Sequence, residues 1–93
     1  MKQVWSAKAK QQFDGQIFWY KFYKGEDFAN SFIKSIKESV DRIMLMPIIG
    51  QLIGRTDKWT QRSILVHPRY RIIYKYNKTI LEISRLKFTM MRE

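Results

Sequence analysis

Cysteine is missing from this 93-residue chain, and histidine occurs once, at His67. Without cysteine there is no disulfide framework and no thiolate nucleophile, which fits a reducing, cytoplasmic location. A single histidine excludes a metal site built from several imidazoles, and we expect neither a metal nor another cofactor. No stretch resembles a signal peptide or reaches the ~18 apolar residues of a membrane span, so we expect no membrane partner.

Acidic residues are also scarce: eight stand against 18 lysines and arginines, a formal net charge of +10. Residues 1–60 hold ten basic and six acidic residues, a net of +4, and residues 61–93 hold eight and two, a net of +6. Such an excess predicts an acidic partner, which could be nucleic acid, an anionic surface or an acidic peptide. A basic protein with no anionic target is the alternative.

The hydrophobic pattern predicts two helices in a single domain spanning residues 1–93. After a short strand, "KQVWS", Ser6 offers an N-cap to a helix over residues 7–24. A second helix is predicted over residues 27–46, where Pro47 ends it. The apolar stripe of the first helix contains Ala9, Phe13, Ile17 and Tyr20, and that of the second contains Phe28, Phe32, Ile36, Val40, Ile43 and Met44. The short loop between the helices indicates an antiparallel helical hairpin.

Three strands are predicted in the last third of the chain, after a glycine-containing connector. They cover residues 62–66, 70–76 and 79–87, with turns at 67–68 and 77–78 that make an antiparallel meander. In the third strand, Leu81 and Ile83 share their alternation with Arg85 and Lys87. That strand must therefore change from buried to exposed along its length, or break its register near Ser84. The helical hairpin and the meander each have an apolar face that must be buried. This predicts an α+β fold with the helical hairpin packed on a twisted antiparallel sheet.

The stretch "HPRYRIIYKY" carries only positive charge on its solvent side, which indicates an anion-binding face. We expect six basic residues to gather on the exposed face and one end of the sheet: Arg62, Arg69, Arg71, Lys75, Arg85 and Lys87. A metal-free ribonuclease would need a base, an acid and a cation beside the phosphate. Arg71 and Arg85 are candidates for the cation, and His67 for the acid or base. Alternatively, His67 is a turn residue and the arginines form a solvated face.

Three segments in this order resemble the RelE/ParE family of bacterial type II toxin–antitoxin toxins. They are "WSAKA" opening the first helix, "P-x-x-G" closing the second, and "YRIIY" in the central strand. The resemblance spans nearly the whole chain and implies a helical hairpin on a twisted antiparallel sheet. It also implies a cognate antitoxin that covers the basic sheet and the helical groove, and a role in growth inhibition and plasmid stabilisation.

The resemblance implies two different targets. RelE-like members cut mRNA in the ribosomal A site without metal, whereas ParE-like members poison DNA gyrase. Arg71 matches the arginine of the family strand "Y-R-x-x-Y", and Arg62 lies where the nucleases place an RNA-binding lysine. Ile64 occupies the position at which the nucleases carry the second basic residue of that strand. Their terminal catalytic arginine aligns near Met90 or Met91, and Arg92 comes slightly after that position.

An incomplete catalytic set favours a ParE-like toxin acting on DNA gyrase. A ribosome-dependent mRNA endonuclease that uses Arg62, His67, Arg71 and Arg85 stays open as the alternative. A non-toxic nucleic-acid-binding module is the third possibility.

Overall fold

The computed structural model describes residues 1–66 and 70–88, so His67 and Arg69 lie outside the described residues. In chain order the elements are β1 (Lys2–Trp5), α1 (Ala7–Tyr23), α2 (Glu26–Leu45), a 3₁₀ turn (Pro47–Ile49), β2 (Gln51–Arg55), β3 (Thr60–Val66), β4 (Tyr70–Tyr76) and β5 (Ile80–Phe88). The five strands form one sheet in the order β1-β5-β4-β3-β2. Within the described ranges, neither helix is long and apolar enough to cross a membrane.

The predicted α+β class is confirmed, with two corrections to the sheet. The sheet is mixed rather than antiparallel, because β1 runs parallel to β5 while all other neighbours are antiparallel. The connector after α2 also contains a strand, β2, that the sequence pattern does not predict. It is five residues long, contains Gly54, and its register against β3 shifts between Leu52 and Gly54.

Both helices begin and end close to their predicted positions. The Ser6 side chain accepts a hydrogen bond from the Ala9 N–H at 3.0 Å, which satisfies one of the donors left free at the start of α1. The turn between the helices requires Gly25, whose φ of 101° is readily adopted only by glycine. Two carboxylates, Glu26 and Asp27, then lie in the first turn of α2, where the helix dipole favours negative charge.

The core forms where the helical hairpin covers the middle strands of the sheet. Four members of the predicted α2 stripe are buried and meet inward-facing residues of β4 and β5, namely Phe32, Ile36, Val40 and Ile43. Of the other two, Met44 is partly buried and Phe28 is 46% exposed. Aromatic rings connect the layers: Phe32 packs on Tyr20 of α1 at 5.2 Å and on Tyr70 of β4 at 5.1 Å between ring centroids. The hydroxyls of Tyr20 and Tyr70 share a buried hydrogen bond of 2.6 Å. Tyrosine therefore contributes both apolar area and a satisfied polar end.

A β-bulge breaks the register of β5 at Ser84, which is the second of the two alternatives that the alternation left open. Ile73 pairs with Arg85, but Tyr74 pairs with Ile83, which leaves Ser84 without a partner on β4. The Ser6 hydroxyl donates to the Ser84 carbonyl at 2.6 Å, so the residue that caps α1 also holds the bulge. Beyond it, the Gln12 side chain accepts from the Leu86 N–H at 2.8 Å. Helix α1 thus supplies a hydrogen-bond partner for the backbone of β5 beyond the end of the short β1.

A polar cluster holds the end of α2 against the sheet. The Tyr74 hydroxyl donates to the Pro47 carbonyl at 2.7 Å and accepts from the Gly50 N–H at 3.1 Å. The Arg62 guanidinium donates to the Gly50 carbonyl at 2.9 Å and to the Tyr76 hydroxyl at 3.0 Å. Burial raises the pKa of Tyr74, because its phenolate would lose hydration. The "P-x-x-G" segment therefore folds around one tyrosine.

Replacing Gly50 with alanine should destabilise the protein strongly. A Cβ at this position would lie 2.6 Å from the Tyr74 hydroxyl and 2.7 Å from the Ser63 carbonyl oxygen, and the second atom is backbone that cannot swing away. We expect Gly50→Ala to lower the free energy of unfolding by about 2–4 kcal/mol in urea titrations. Gly54→Ala is the matched control, since its nearest neighbour is 4.0 Å away. Equal stability of the two variants would contradict this packing.

Replacing Tyr74 with phenylalanine should cost about 1–3 kcal/mol of unfolding free energy, because the Pro47 carbonyl and the Gly50 N–H lose their buried partner. It should also change the response to alkaline pH. The native pKa of Tyr74 lies above its ordinary value of 10.0, so above that pH the unfolded chain loses the phenol proton first. Native stability therefore falls as the pH rises from 10.0 towards the native pKa.

Tyr74→Phe removes this part of the alkaline slope. Tyr23→Phe is the control, because Tyr23 is exposed and its replacement should leave the stability unchanged. An unchanged alkaline slope in Tyr74→Phe would contradict the burial of its hydroxyl.

Candidate functional site

The sheet turns one face towards the helices and leaves the other open. Residues directly opposite each other on paired strands share a face, so the register identifies the members of this open face. They are Lys2 and Val4 of β1, Ile80, Glu82, Arg85 and Lys87 of β5, Arg71, Ile73 and Lys75 of β4, Gln61, Ser63 and Leu65 of β3, and Gln51 and Gly54 of β2. Five of these residues are basic and one is acidic, so the face attracts anions.

Three of the cations form a cluster at one end of the open face. Arg71 lies directly opposite Lys87, and Arg85 lies opposite Ile73, two residue pairs further along. Arg85 and Lys87 are exposed, while Arg71 is half-buried and donates to the Ser63 hydroxyl at 3.1 Å. Like charges directly opposite each other on paired strands destabilise a sheet. An anionic partner would therefore relieve the repulsion within this basic cluster, which comprises Arg71, Arg85 and Lys87.

Lys75 shares the open face but not the environment of the basic cluster. Its ammonium lies 3.5 Å from the Glu82 carboxylate and 4.7 Å from the centre of the Trp59 ring. Both contacts satisfy the charge within the chain. Lys75 is thus less available to a partner than the three members of the basic cluster. The sequence pattern did not identify Trp59, because it lies in the connector and its contact with Lys75 depends on the register of β3 and β4.

The expectation that Arg62 joins the exposed basic surface is wrong. Arg62 pairs with Tyr74, which faces the helices, and its guanidinium is bound to Gly50 and Tyr76. The alternation of β3 would have placed Arg62 on the side of the helices, because Ile64 and Val66 have the same parity and Val66 is buried in the core. Arg62 therefore holds the connector, on the opposite side of the sheet from Arg71.

Two further candidates, His67 and Arg69, lie outside the described residues, and so do Met90, Met91 and Arg92. Of the four candidate catalytic residues, the described part of the chain brings only Arg71 and Arg85 to one surface. Within residues 1–66 and 70–88, no group of three or more carboxylate, imidazole or thiol side chains is arranged to hold a metal ion.

The basic cluster suits recognition of carboxylate or phosphate groups. Two guanidinium groups offer planar forks of donors, and the nearby lysine adds a point charge. The pKa shift described above belongs to Tyr74, whose hydroxyl is buried among Pro47 and Gly50 and faces away from this surface. The cluster therefore offers the hydrogen-bond donors and positive charge that an anionic group requires.

A second concave feature lies between α1, α2 and β1, away from the basic cluster. It is a cleft of about 550 Å³ whose walls include the apolar side chains of Trp5, Phe13 and Val40. Lys10, Asp14, Lys37 and Asp41 add charges of both signs. An amphipathic segment with an apolar anchor would fit such a cleft.

Comparison with known structures places the fold among toxin–antitoxin proteins. The "Chromosomal ParDE TA system from P. aeruginosa" matches with a TM-score of 0.75 at 17% identity, covering 95% of both chains. The "YoeB/ParE toxin from Agrobacterium tumefaciens" matches with a TM-score of 0.63 at 16% identity, covering 95% of this chain and 98% of the other. At these identities the likeness shows the fold alone. A search of curated proteins finds no significant match.

The sequence itself matches the family described as the ParE toxin of the type II toxin–antitoxin system parDE. The match extends over residues 4–91 and so includes both helices and all but the first two residues of the sheet. It contains every member of the basic cluster and the "P-x-x-G" segment around Tyr74. This chain belongs to the ParE toxin family of type II toxin–antitoxin systems.

Proposed function

We propose that this chain inhibits growth by binding a protein target, DNA gyrase, and that a cognate antitoxin neutralises it. The observation that carries the proposal is the match to the ParE toxin family across residues 4–91. Binding rather than cleavage agrees with the composition of the open face, where the only carboxylate among the described residues, Glu82, is paired with Lys75.

The basic cluster is the surface that we assign to the antitoxin. Arg85 and Lys87 are exposed, and the only carboxylate on the described open face, Glu82, is already paired with Lys75. An acidic segment lying across β4 and β5 would relieve the repulsion between Arg71 and Lys87. The cleft between the helices and β1 would accept an apolar anchor of the same partner.

A metal-free ribonuclease is less well supported by the site geometry. Arg62 and Arg71 lie on opposite faces of the sheet, so they cannot contact one scissile phosphate. Efficient acid–base catalysis needs its groups within hydrogen-bond reach of the same reacting atoms. The basic cluster provides the cation, but none of its three members is a carboxylate or an imidazole, and the carboxylate of Glu82 on the same face is paired with Lys75.

Induction of the chain in bacteria should arrest growth with a DNA-damage response while mRNA stays intact. A gyrase poison leaves DNA breaks, whereas a ribosome-dependent nuclease leaves messages cut within codons. The measurement is a reporter for the DNA-damage response together with mapping of mRNA 5′ ends after induction. Gly50→Ala is the control, because a chain with a disrupted fold should lose the effect. Cut codons without DNA damage would favour the nuclease, and normal growth would contradict a toxin.

Charge reversal in the basic cluster should weaken antitoxin binding. We expect Arg85→Glu with Lys87→Glu to raise the dissociation constant by about tenfold or more and to reduce its salt dependence. The matched control reverses two exposed lysines at the other end of the sheet, Lys58→Glu with Lys78→Glu. Each pair lowers the formal net charge by four, from +10 to +6.

The measurement is titration calorimetry with the antitoxin encoded beside this chain, at low and high salt. If both variant pairs weaken binding equally, only net charge matters and the assignment of the cluster fails. Circular dichroism of the free variants checks that the fold is retained.

A further inference from the structure

The outer side of α1 carries an aromatic surface that the fold does not use. Phe18 and Phe22 are each 72% exposed, Tyr23 is 63% exposed and Trp19 is 46% exposed. The rings pack on one another, with centroid distances of 4.7 Å between Trp19 and Tyr23 and 4.9 Å between Phe22 and Tyr23. Four large apolar side chains in one patch exceed the scattered exposure that is ordinary for a monomer.

A glycine and a glutamine continue this surface towards the start of α1. Gly15, Phe18, Trp19 and Phe22 follow the spacing i, i+3, i+4, i+7, which places them on one side of a helix, and Gln11 lies one turn earlier. Gly15 weakens the helix that contains it, and a Cβ at Gly15 would meet no atom within 4 Å. Nothing within the described chain requires a glycine here, but close approach of a second helix would.

This strip, which comprises Gln11, Gly15, Phe18, Trp19, Phe22 and Tyr23, carries no charge. The charged residues Lys10 and Asp14 of the same helix line the cleft beside α2 instead, and Lys21 shares the side of Asp14 by its spacing of seven. Lys8, seven residues before Gly15, is exposed on the same side of α1 but beyond the N-terminal end of the strip. An acidic helix along the strip would therefore meet a cation only at that end, and an anionic membrane surface favours several lysines beside the aromatic residues. A neutral occupant therefore fits best.

A second copy of the chain meets this requirement. The strip is polar and small at Gln11 and Gly15 and aromatic at Phe18 and Phe22. In an antiparallel pair of α1 helices related by a two-fold axis, the aromatic half of each helix lies over the glycine half of the other. In this arrangement no charged side chain of the strip faces another, and the Lys8 residues of two molecules with a net of +10 each lie at opposite ends of the pair.

The available area suits a weak dimer. Aromatic side chains present about 150–250 Å² each, so the four rings at their observed exposures leave roughly 500 Å² uncovered per molecule. Two copies then bury on the order of 1,000 Å², the lower limit for a specific interface. We propose that the neutral strip on α1 is a self-association surface through which two copies pair antiparallel, with a dissociation constant in the micromolar range.

Sedimentation equilibrium of the full chain, up to high micromolar concentration, tests this pairing. We expect a monomer–dimer equilibrium that strengthens with added salt, because salt screens the repulsion between two basic molecules. Phe18→Ser combined with Phe22→Ser should weaken the dimer more than about tenfold, as truncation of central aromatic residues does at interfaces. Leu45→Ser is the matched control, since Leu45 is exposed on α2 outside the strip, and it should leave the dimer unchanged.

Gly15→Leu separates folding from pairing. The added side chain has free space in the monomer, so the midpoint of thermal unfolding should not fall, while the dimer should weaken because the helices cannot approach. A monomer at every concentration overturns the proposal, and so does a dimer that survives the double serine variant.

Two other occupants have their own readouts. If the wild-type chain stays monomeric and the double serine variant escapes neutralisation by the antitoxin, the strip belongs to the antitoxin. If it stays monomeric and floats with phosphatidylglycerol vesicles, the strip binds lipid. Either result overturns self-association.

Discussion

The β-bulge at Ser84 is the constraint on which the basic cluster depends. Up to Ile83 the odd-numbered residues of β5 face the helices, and beyond the bulge the even-numbered Leu86 does so. Unbroken alternation would turn Arg85 and Lys87 into the core and expose Leu86. Burying two unpaired cations costs far more than one irregular residue pair. The apolar pattern itself therefore selects the bulged register, and a consequence of that register is that Arg85 and Lys87 share the open face with Arg71.

The bulge also connects the sheet to the helical hairpin. Ser6 caps α1 with the same hydroxyl that binds the Ser84 carbonyl, and its backbone N–H bonds the Ile83 carbonyl at 3.0 Å. At the other side of the domain, Tyr74 and Arg62 hold the end of α2 in the same way. The helices are thus fixed to the sheet at both ends by a few polar contacts, which leaves the open face free for a partner.

Local pattern was sufficient for both helices and for every strand except β2, and it was insufficient for the site. The α2 stripe from Phe32 to Ile43 and the break near Ser84 follow from periodicity, which depends on neighbouring residues alone. The strand β2 and the parallel pairing of β1 depend on contacts between distant parts of the chain, and so does the partner of Lys75. Arg62 was wrongly assigned to the exposed face for a different reason. Its charge was given more weight than its alternation with Ile64 and Val66, which indicates the side of the helices. A guanidinium can lie partly buried when backbone carbonyls and hydroxyls receive its donors, as at Arg62.

The reactivity of single cysteines along β5 tests the central claim most directly, because the chain contains no native cysteine. The variants are Arg85→Cys, Leu86→Cys and, as a reference on the distant turn, Lys78→Cys. Our account predicts rapid maleimide labelling at positions 85 and 78 and slow labelling at position 86 in the free protein, with protection of position 85 alone once the antitoxin binds. Faster labelling at position 86 than at 85 would contradict the bulged register. Unchanged labelling at position 85 in the complex would contradict the assignment of the basic cluster to the antitoxin.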